Sequence, residues 1–279
     1  MKETRQIKKI IRGRTAYDGA GVKLVRVFGY GDVKDFDPFL MMDAFDSDQP
    51  EDYVKGFPWH PHRGIETITY LIDGVIEHGD SLGHSGTIRA GECQWMTAGS
   101  GIIHQEMPLE APRLRGMQLW LNLPRAFKMT PPAYHGIGVE DVPILSEEGR
   151  EIRILGGSYK GIPGAMKGDF VEPDYLDITL EGGASFELEV QRDHTLFVYV
   201  LEGAGRFGDS ESIHPLQDCI LFGEGEVFKA KADGTGMRFL LFAGMPLGEP
   251  IAWGGPIVMN TKEELDLAFR ELESDQFIK

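Results

Sequence analysis

Short strand-like segments separated by glycine constrain the fold of this chain more than any other feature of its sequence. Between residues 12 and 123 these segments are rich in β-branched and aromatic residues, and include VKLVRVFG, IETITYLI, VIEHG, CQWMTAG and MQLWLNL. Glycine makes up 36 of the 279 residues, about twice its usual share, and it supplies the positive φ angles of tight turns. The pattern predicts an all-β protein built from antiparallel strands.

The strand pattern resumes after a proline-rich stretch and predicts a second β module. The stretch LPRAFKMTPPAYHG contains two successive prolines, which cannot join a sheet ladder, so we predict a linker near residues 124–136. Beyond it lie REIRILGGSY, YLDITLEGG, ASFELEVQ, HTLFVYVLEG and MRFLLFAG. At about 150 residues per domain, we expect two antiparallel β-barrels, at residues 1–133 and 134–279.

Two local signals predict individual elements. Asp73 and Gly74 stand between two strand-like runs, which favours a hairpin of adjacent strands. Near the end of the chain, Thr261 and Glu264 have the spacing of a capping box. Apolar residues then recur at helical spacing, which predicts one short C-terminal helix containing Leu265, Ala268, Phe269 and Leu272.

The charge balance excludes one class of partner. The chain carries 28 Lys and Arg against 44 Asp and Glu, a formal net charge of −16, which repels the phosphates that give nucleic-acid binding most of its non-specific affinity. No apolar run approaches the roughly 18 residues of a membrane span, and none of signal-peptide length follows the basic first residues. The chain has only two cysteines, Cys93 and Cys219. We therefore expect a cytoplasmic protein that binds neither nucleic acid nor membrane.

The acidic residues are concentrated in the second half of the chain. Residues 1–135 carry 16 basic and 17 acidic side chains, whereas residues 136–279 carry 12 basic and 27 acidic side chains. We expect the acidic half to present a solubilising surface or one that faces a protein partner.

A set of histidines and carboxylates predicts a metal site in the first half. His60 and His62 are two residues apart at the start of a strand, so both imidazoles should lie on one face. His104 and Glu106 repeat this spacing after a glycine-rich turn, and Glu66, with the parity of His62, is a rival fourth ligand. We favour Glu106. Nitrogen and oxygen ligands without thiolate suit a divalent transition metal such as Fe, Mn, Ni, Cu or Zn.

These segments carry a family resemblance that covers almost the whole chain. The chain resembles the pirin family of the cupin superfamily in the runs HPHRG (60–64) with Glu66, QWMTAG (94–99) and GIIHQEMP (101–108), and in DPFLMMDAF (37–45), QLWLNLP (118–124) and IVMNTKEEL (257–265). The resemblance implies a bicupin of two β-barrels with one metal, usually iron, in the N-terminal barrel. It also implies the metal ligands His60, His62, His104 and Glu106.

The two halves of the chain resemble each other, which favours a duplicated barrel. A shift of 129 residues lays residues 66–74 on 195–203, and a shift of 126 lays Cys93 on Cys219. Under these shifts no imidazole stands at the ligand positions of the second half, which are Glu189, Gln191, Ala230 and Ala232. We therefore expect no metal there.

Two further histidines and the two cysteines have no clear place in the metal motif. His78 and His84, in a turn-rich stretch near the metal motif, could line the mouth of the site, but we favour solvated side chains. Cys93 and Cys219 lie in strand-like runs, where a free thiol is more often a small buried apolar residue than a nucleophile.

The resemblance implies two alternative functions that share one metal site. The first, which we favour, is a quercetin 2,3-dioxygenase-like enzyme that cleaves flavonol-type phenolics with O2 and uses Glu106 or Glu66 to accept the substrate proton. The alternative is a non-enzymatic, redox-sensitive iron protein that regulates a protein partner. Oxygen consumption with a flavonol would distinguish the two, because finding metal alone cannot.

Overall fold

Antiparallel strands dominate the computed structural model, which describes residues 2–279. The first twelve strands are β1 (Ile7–Arg12), β2 (Arg14–Asp18), β3 (Val22–Phe28), β4 (Phe39–Ser47), β5 (Phe57–His62), β6 (Ile65–Asp73), β7 (Val75–Asp80), β8 (Ser85–Arg89), β9 (Cys93–Thr97), β10 (Ile102–Pro108), β11 (Leu114–Asn122) and β12 (Ala133–Ile137). The remaining strands are β13 (Ile144–Glu147), β14 (Arg150–Gly156), β15 (Ser158–Tyr159), β16 (Ile162–Pro163), β17 (Asp174–Leu180), β18 (Ser185–Glu189), β19 (Thr195–Phe207), β20 (His214–Pro215), β21 (Asp218–Phe222), β22 (Val227–Gly244), β23 (Ala252–Gly254) and β24 (Ile257–Met259). The α-helices are α1 (Val33–Phe36) and α2 (Lys262–Glu273). The predicted all-β class with a short C-terminal helix is confirmed.

The chain forms two compact units, each assembled from three segments of sequence. Residues 14–33, 39–139 and 247–279 form the first, which we call the histidine unit. Residues 2–13, 34–38 and 140–246 form the second, the nine-strand unit. The predicted division into domains at residues 133 and 134 stays a prediction.

Two sheets build the histidine unit. The larger has seven strands in the order β12-β9-β6-β11-β4-β3-β2, and the smaller has four in the order β5-β10-β7-β8. All of the pairs are antiparallel, as the sequence predicts. Burial alternates along β10, whose residues are in turn buried and half-buried, so one face of this strand lies inside the unit.

Two predictions about connections are wrong. The strands that flank Asp73 and Gly74 are not a hairpin: β6 pairs with β9 and β11, whereas β7 pairs with β8 and β10. Gly74, at φ +99°, turns the chain from one sheet into the other, and a Cβ there would lie 3.0 Å from the carbonyl oxygen of Arg113. The predicted linker at residues 124–136 is wrong in its last part. The residues after the two prolines form β12, which pairs with β9 in the larger sheet.

The nine-strand unit has an apolar interior. Its sheet runs β1-β21-β19-β22-β17-β14-β13, with β18 paired to β22 and β20 to β19. The first part of β22 lies between β18 and the end of β19, as β10 lies between β5 and β7. Aliphatic and aromatic side chains fill the core, and each fully buried phenylalanine contributes roughly 1.5–3 kcal/mol. The phenylalanines include Phe186, Phe207, Phe228 and Phe239. Ala230 and Ala232, which match the ligand positions in the repeat, are buried in this core.

The C-terminal helix begins as its sequence predicts. The backbone N–H of Glu264 donates to the Thr261 hydroxyl, and the Glu264 carboxylate accepts from the backbone N–H of Thr261, which completes the capping box. Ala268 on its inner face is fully buried. Within residues 2–279, no helix has both the length and the apolar character needed to cross a bilayer.

Candidate metal centre

Strands β5 and β10 carry the three predicted histidine ligands side by side. The strands pair antiparallel, with His104 opposite His60 and Ile102 opposite His62. Directly paired residues lie on the same face of a sheet, and residues two apart on one strand share that face. All three imidazoles therefore lie on one face of the four-stranded sheet.

The three imidazoles come close enough together to hold one ion. One ligand atom from each of His60, His62 and His104 lies within 4.8 Å of the other two. The ring centroids of His60 and His104 are 4.3 Å apart, and the other two pairs are separated by 4.9 and 5.1 Å. In the part of the chain that the structure describes, no other group of three or more histidine, cysteine or acidic side chains meets in this way.

Backbone carbonyls orient two of the rings. His62 Nδ1 lies 3.2 Å from the carbonyl oxygen of Pro256, and His60 Nδ1 lies 2.9 Å from that of Pro58. A carbonyl oxygen only accepts, so each Nδ1 carries the hydrogen and donates it. The lone pair of each ring is then on Nε2. Metal-binding histidines usually make such a bond through the nitrogen that does not touch the ion.

Burial keeps two of the three imidazoles, His62 and His104, uncharged. It lowers the pKa of His62 and of His104 well below the ordinary histidine value, and the neighbouring imidazoles lower both further. Neutral imidazoles have no proton to lose before they bind a metal. Both ring nitrogens of His104 are buried without a hydrogen-bond partner among the described residues, a condition that costs roughly 1–3 kcal/mol for each unsatisfied group. A divalent transition metal would be a suitable partner for one of these two nitrogens.

Glu106, the predicted fourth ligand, is buried on the same strand and face as His104, but its carboxylate lies outside the histidine cluster. The Thr69 hydroxyl donates to it at 3.2 Å. The side-chain amide of Gln118 donates to both carboxylate oxygens, at 3.0 and 2.9 Å. The carboxylate is thus held by β6 and β11 of the seven-stranded sheet, and its role as a metal ligand stays a prediction.

Glu66 is buried in the other sheet of the unit. It belongs to β6 in the seven-stranded sheet, where it is paired with Thr97, whose hydroxyl donates to it at 2.7 Å. Thr69, which bonds Glu106, is three residues further along β6 and therefore faces the opposite way. The sequence predicts that Glu66 shares a face with His62 because the two are an even number of residues apart. That alternation holds only within one strand, and the turn at residues 63–64 separates β5 from β6. A catalytic role for Glu66 stays a prediction.

Arg63 was not singled out from the sequence, yet it holds the turns that flank the histidines. It follows His62 and is 2% exposed. Its guanidinium donates to the carbonyl oxygens of Ser100 and Phe277, at 2.6 and 2.8 Å, and pairs with Glu271 at 2.6 Å. The group also stacks over the Phe277 ring, 4.2 Å from its centroid. Its partners near the end of the chain are about 200 residues away, which no local pattern reveals.

Lys128 is a second buried cation that sequence reasoning missed. Its ammonium donates to the carbonyl oxygens of Gly64 and Val258, at 2.7 and 2.9 Å, and to the side chain of Asn122. Burial lowers the pKa of Lys128 to about 7. Gly64 is at φ +77°, and a Cβ there would lie 2.0 Å from the Val258 carbonyl oxygen, so only glycine allows this close approach.

The two histidines of the turn-rich stretch differ. The side chain of His84 is 63% exposed, as expected of a solvated residue. His78 contradicts that expectation: it is half-buried, accepts a hydrogen bond from the Gln94 amide at 2.8 Å, and stacks on Tyr134 with ring centroids 5.7 Å apart.

Comparisons with known proteins agree with this architecture. Residues 21–121 match the pirin family, and residues 175–278 match the pirin C-terminal cupin domain. The chain is 41% identical to a pirin-like protein of Caulobacter vibrioides, over 98% of this chain and 99% of that one. It is 35% identical to pirin of Mus musculus, over 98% and 94%. The crystal structure of a quercetin 2,3-dioxygenase from Acinetobacter baumannii superposes with a TM-score of 0.89 at 32% identity, over 98% of both chains. The chain therefore belongs to the pirin family, and both of its matched regions are cupin domains.

Proposed function

We propose that this protein is a dioxygenase that binds Fe(II) through His60, His62, His104 and Glu106 and cleaves flavonol-type phenolics with O2. The observation that carries the proposal is the convergence of three imidazoles, two of them oriented by backbone carbonyls. The name of the Acinetobacter relative supports the same reaction class.

Each side chain has a distinct task in this proposal. A bound divalent metal would supply Lewis-acid chemistry, which stabilises a deprotonated substrate hydroxyl. His60 and His62 present Nε2 lone pairs, because their Nδ1 hydrogens are held by carbonyls. His104 contributes a buried nitrogen that has no other partner in the described structure. The chain thus supplies a prearranged set of ligands.

We assign the substrate proton to Glu106 rather than to Glu66. Glu106 shares a strand face with His104, and the donors Thr69 and Gln118 fix its carboxylate. A carboxylate held in place is a suitable proton acceptor for a phenol bound beside it. Glu66 points to the opposite side of β6, so we propose that it supports the strand instead.

Iron is our choice among the metals that this ligand set would accept. Nitrogen and oxygen ligands without thiolate also suit Mn, Ni, Cu and Zn. Cys93 and Cys219 are buried free thiols, which fits a reducing cytoplasm, where iron is held as Fe(II). We therefore propose a cytoplasmic Fe(II) protein.

The test is oxygen consumption with quercetin as the probe. Protein stripped of metal and reloaded in turn with Fe, Mn, Ni, Cu or Zn is mixed with quercetin, while O2 and the loss of flavonol absorbance are followed. We expect turnover with a redox-active metal and its loss in His62→Ala. His194→Ala, in the nine-strand unit, is the matched control and should retain activity.

Two outcomes would contradict the proposal. If protein prepared with metal supplied holds none, the metal site itself is wrong. If metal binds but no loaded form consumes O2 with quercetin or another polyphenol, the enzyme assignment fails. Capture of a protein partner that depends on the oxidation state of iron would then favour the regulatory alternative.

A further inference from the structure

A line of aromatic rings runs from the candidate metal centre to the surface of the histidine unit. The His62 ring lies 4.9 Å from Trp120, centroid to centroid, with the rings almost perpendicular. Trp120 lies 6.0 Å from Trp253, which lies 5.6 Å from Tyr30. Trp120 is 7% exposed, whereas Tyr30 is 70% exposed.

Hydrogen bonds fix the two indoles in this line. The Trp120 indole N–H donates to the Gln118 side-chain oxygen at 3.2 Å, and the Trp253 N–H donates to the Gly255 carbonyl oxygen at 2.7 Å. Each ring is thereby held against its neighbours rather than free to rotate away.

The chemistry of these residues suits electron transfer. Tryptophan and tyrosine lose one electron more readily than phenylalanine or the aliphatic residues, and ring contacts of this length provide short steps between them. Tyr30 stands at the wet end, where water can take the phenolic proton as the electron leaves.

We propose that Trp120, Trp253 and Tyr30 form a one-electron relay that carries an electron from the Tyr30 phenol to the metal centre at His62 when a peroxide oxidises that centre. Hydrogen peroxide takes two electrons and two protons and gives two waters. A bound Fe(II) would supply one electron and be oxidised to Fe(III). Tyr30 supplies the other electron and one proton, and becomes a neutral phenoxyl radical, while solvent supplies the second proton.

The relay would protect the ligands. This inference rests on the proposed metal site. An oxidant formed at the metal in the absence of substrate would otherwise attack the nearest side chains, which are the histidine ligands. With the relay, the oxidising equivalent reaches Tyr30, where small reductants in solution can quench it.

The experiment is freeze-quench electron paramagnetic resonance of the full chain. Fe(II)-loaded protein is mixed with hydrogen peroxide under anaerobic conditions. We expect a tyrosyl radical in the unaltered protein and its loss in Tyr30→Phe and Trp253→Phe. Trp253→Tyr, which restores an oxidisable ring at the same place, should recover the radical. Mass spectrometry should show more oxidised His60, His62 and His104 in Trp253→Phe.

Tyr17 provides the matched control, because it is 71% exposed in the same unit. Tyr17→Phe should keep the radical. The relay is wrong if the radical persists in Tyr30→Phe, if it disappears in Tyr17→Phe, or if Trp253→Tyr behaves as Trp253→Phe does.

The relay and the dioxygenase can fail separately. A radical at Tyr30 in protein that does not consume O2 with quercetin supports the relay and rejects the enzyme. Quercetin turnover with an unchanged radical pattern in the Tyr30 and Trp253 variants rejects the relay alone. Absence of bound metal in protein supplied with iron rejects both.

Discussion

At the scale of single residues, His60, His62 and Glu106 each have a hydrogen-bond partner that orients the side chain. The spacing of His60, His62 and His104 can be recognised in the sequence, because two residues is the period of a strand face. The partner of His62 cannot, because the Pro256 carbonyl lies 194 positions away along the chain. Local pattern therefore predicts the ligands but not what orients them.

The bonds to Glu106 give a residue-scale prediction. Gln118→Ala removes the amide that donates to both carboxylate oxygens, so we expect metal affinity to fall by about 10- to 100-fold, the usual cost of losing a partner of a metal ligand. Isothermal titration of metal-free protein with Zn²⁺ measures it.

Gln105→Ala is the matched control for that change. Gln105 is next to Glu106 on β10, so its side chain lies on the other face of the strand. We expect unchanged affinity there. Equal affinity in Gln118→Ala and the unaltered protein would mean that Gln118 does not position a metal ligand.

At the scale of elements, the sequence predicts starts and stops better than neighbours. The capping box at Thr261 is local, and it begins α2 as expected. The hairpin at Gly74 failed because pairing is decided by distant strands: β11 lies next to β6, while β10 lies next to β7. The docking of α2 through Arg63 and Glu271 is equally invisible to local pattern.

The contact between α2 and the turn after β5 gives an element-scale prediction. Glu271→Gln removes the charge that pairs with the buried Arg63, so we expect the free energy of unfolding at pH 7 to fall by about 2 kcal/mol. Urea denaturation measures the change. Glu273→Gln, on an exposed position of the same helix, is the control and should fall within about 0.5 kcal/mol of the unaltered protein.

The pH dependence of that difference checks its cause. Lys279 and Arg63 lower the pKa of Glu271. A carboxylate with a lowered pKa contributes stability that is present above its unfolded pKa and lost as the pH falls through its folded pKa. The difference between Glu271→Gln and the unaltered protein should therefore shrink toward acid pH. A difference that is constant with pH would show that the ion pair is not its source.

At the scale of the whole molecule, sequence order and spatial order diverge. The period of the strands predicts the all-β class, and the repeat between the halves agrees with the similar positions of β10 and the first part of β22. The assignment of residues 247–279 to the histidine unit has no sequence signal, since it depends on long-range contacts of Arg63 and Lys128. Part of the acidic second half of the sequence, residues 247–279, therefore lies in the unit that carries the histidines.

Metal binding should slow amide hydrogen exchange in all of the chain segments that surround the histidines, including the last one. A metal present at about 100 times its Kd stabilises the folded state by roughly 2.7 kcal/mol, and we expect hydrogen exchange to slow where the stabilised contacts lie. Amide exchange with and without Zn²⁺, read by mass spectrometry, should show added protection in residues 57–64 and 100–106. It should also show protection in residues 256–278, because the carbonyls of Pro256 and Phe277 bond His62 and Arg63.

A variant without His62 is the control for this experiment. His62→Ala in the presence of Zn²⁺ should show no added protection, because one of the three converging imidazoles is gone. Protection confined to residues 57–106 would mean that the last segment is not coupled to the metal centre. Added protection that is equal in residues 140–246 and in residues 57–106 would contradict the expectation that the metal stabilises the contacts around its own histidines.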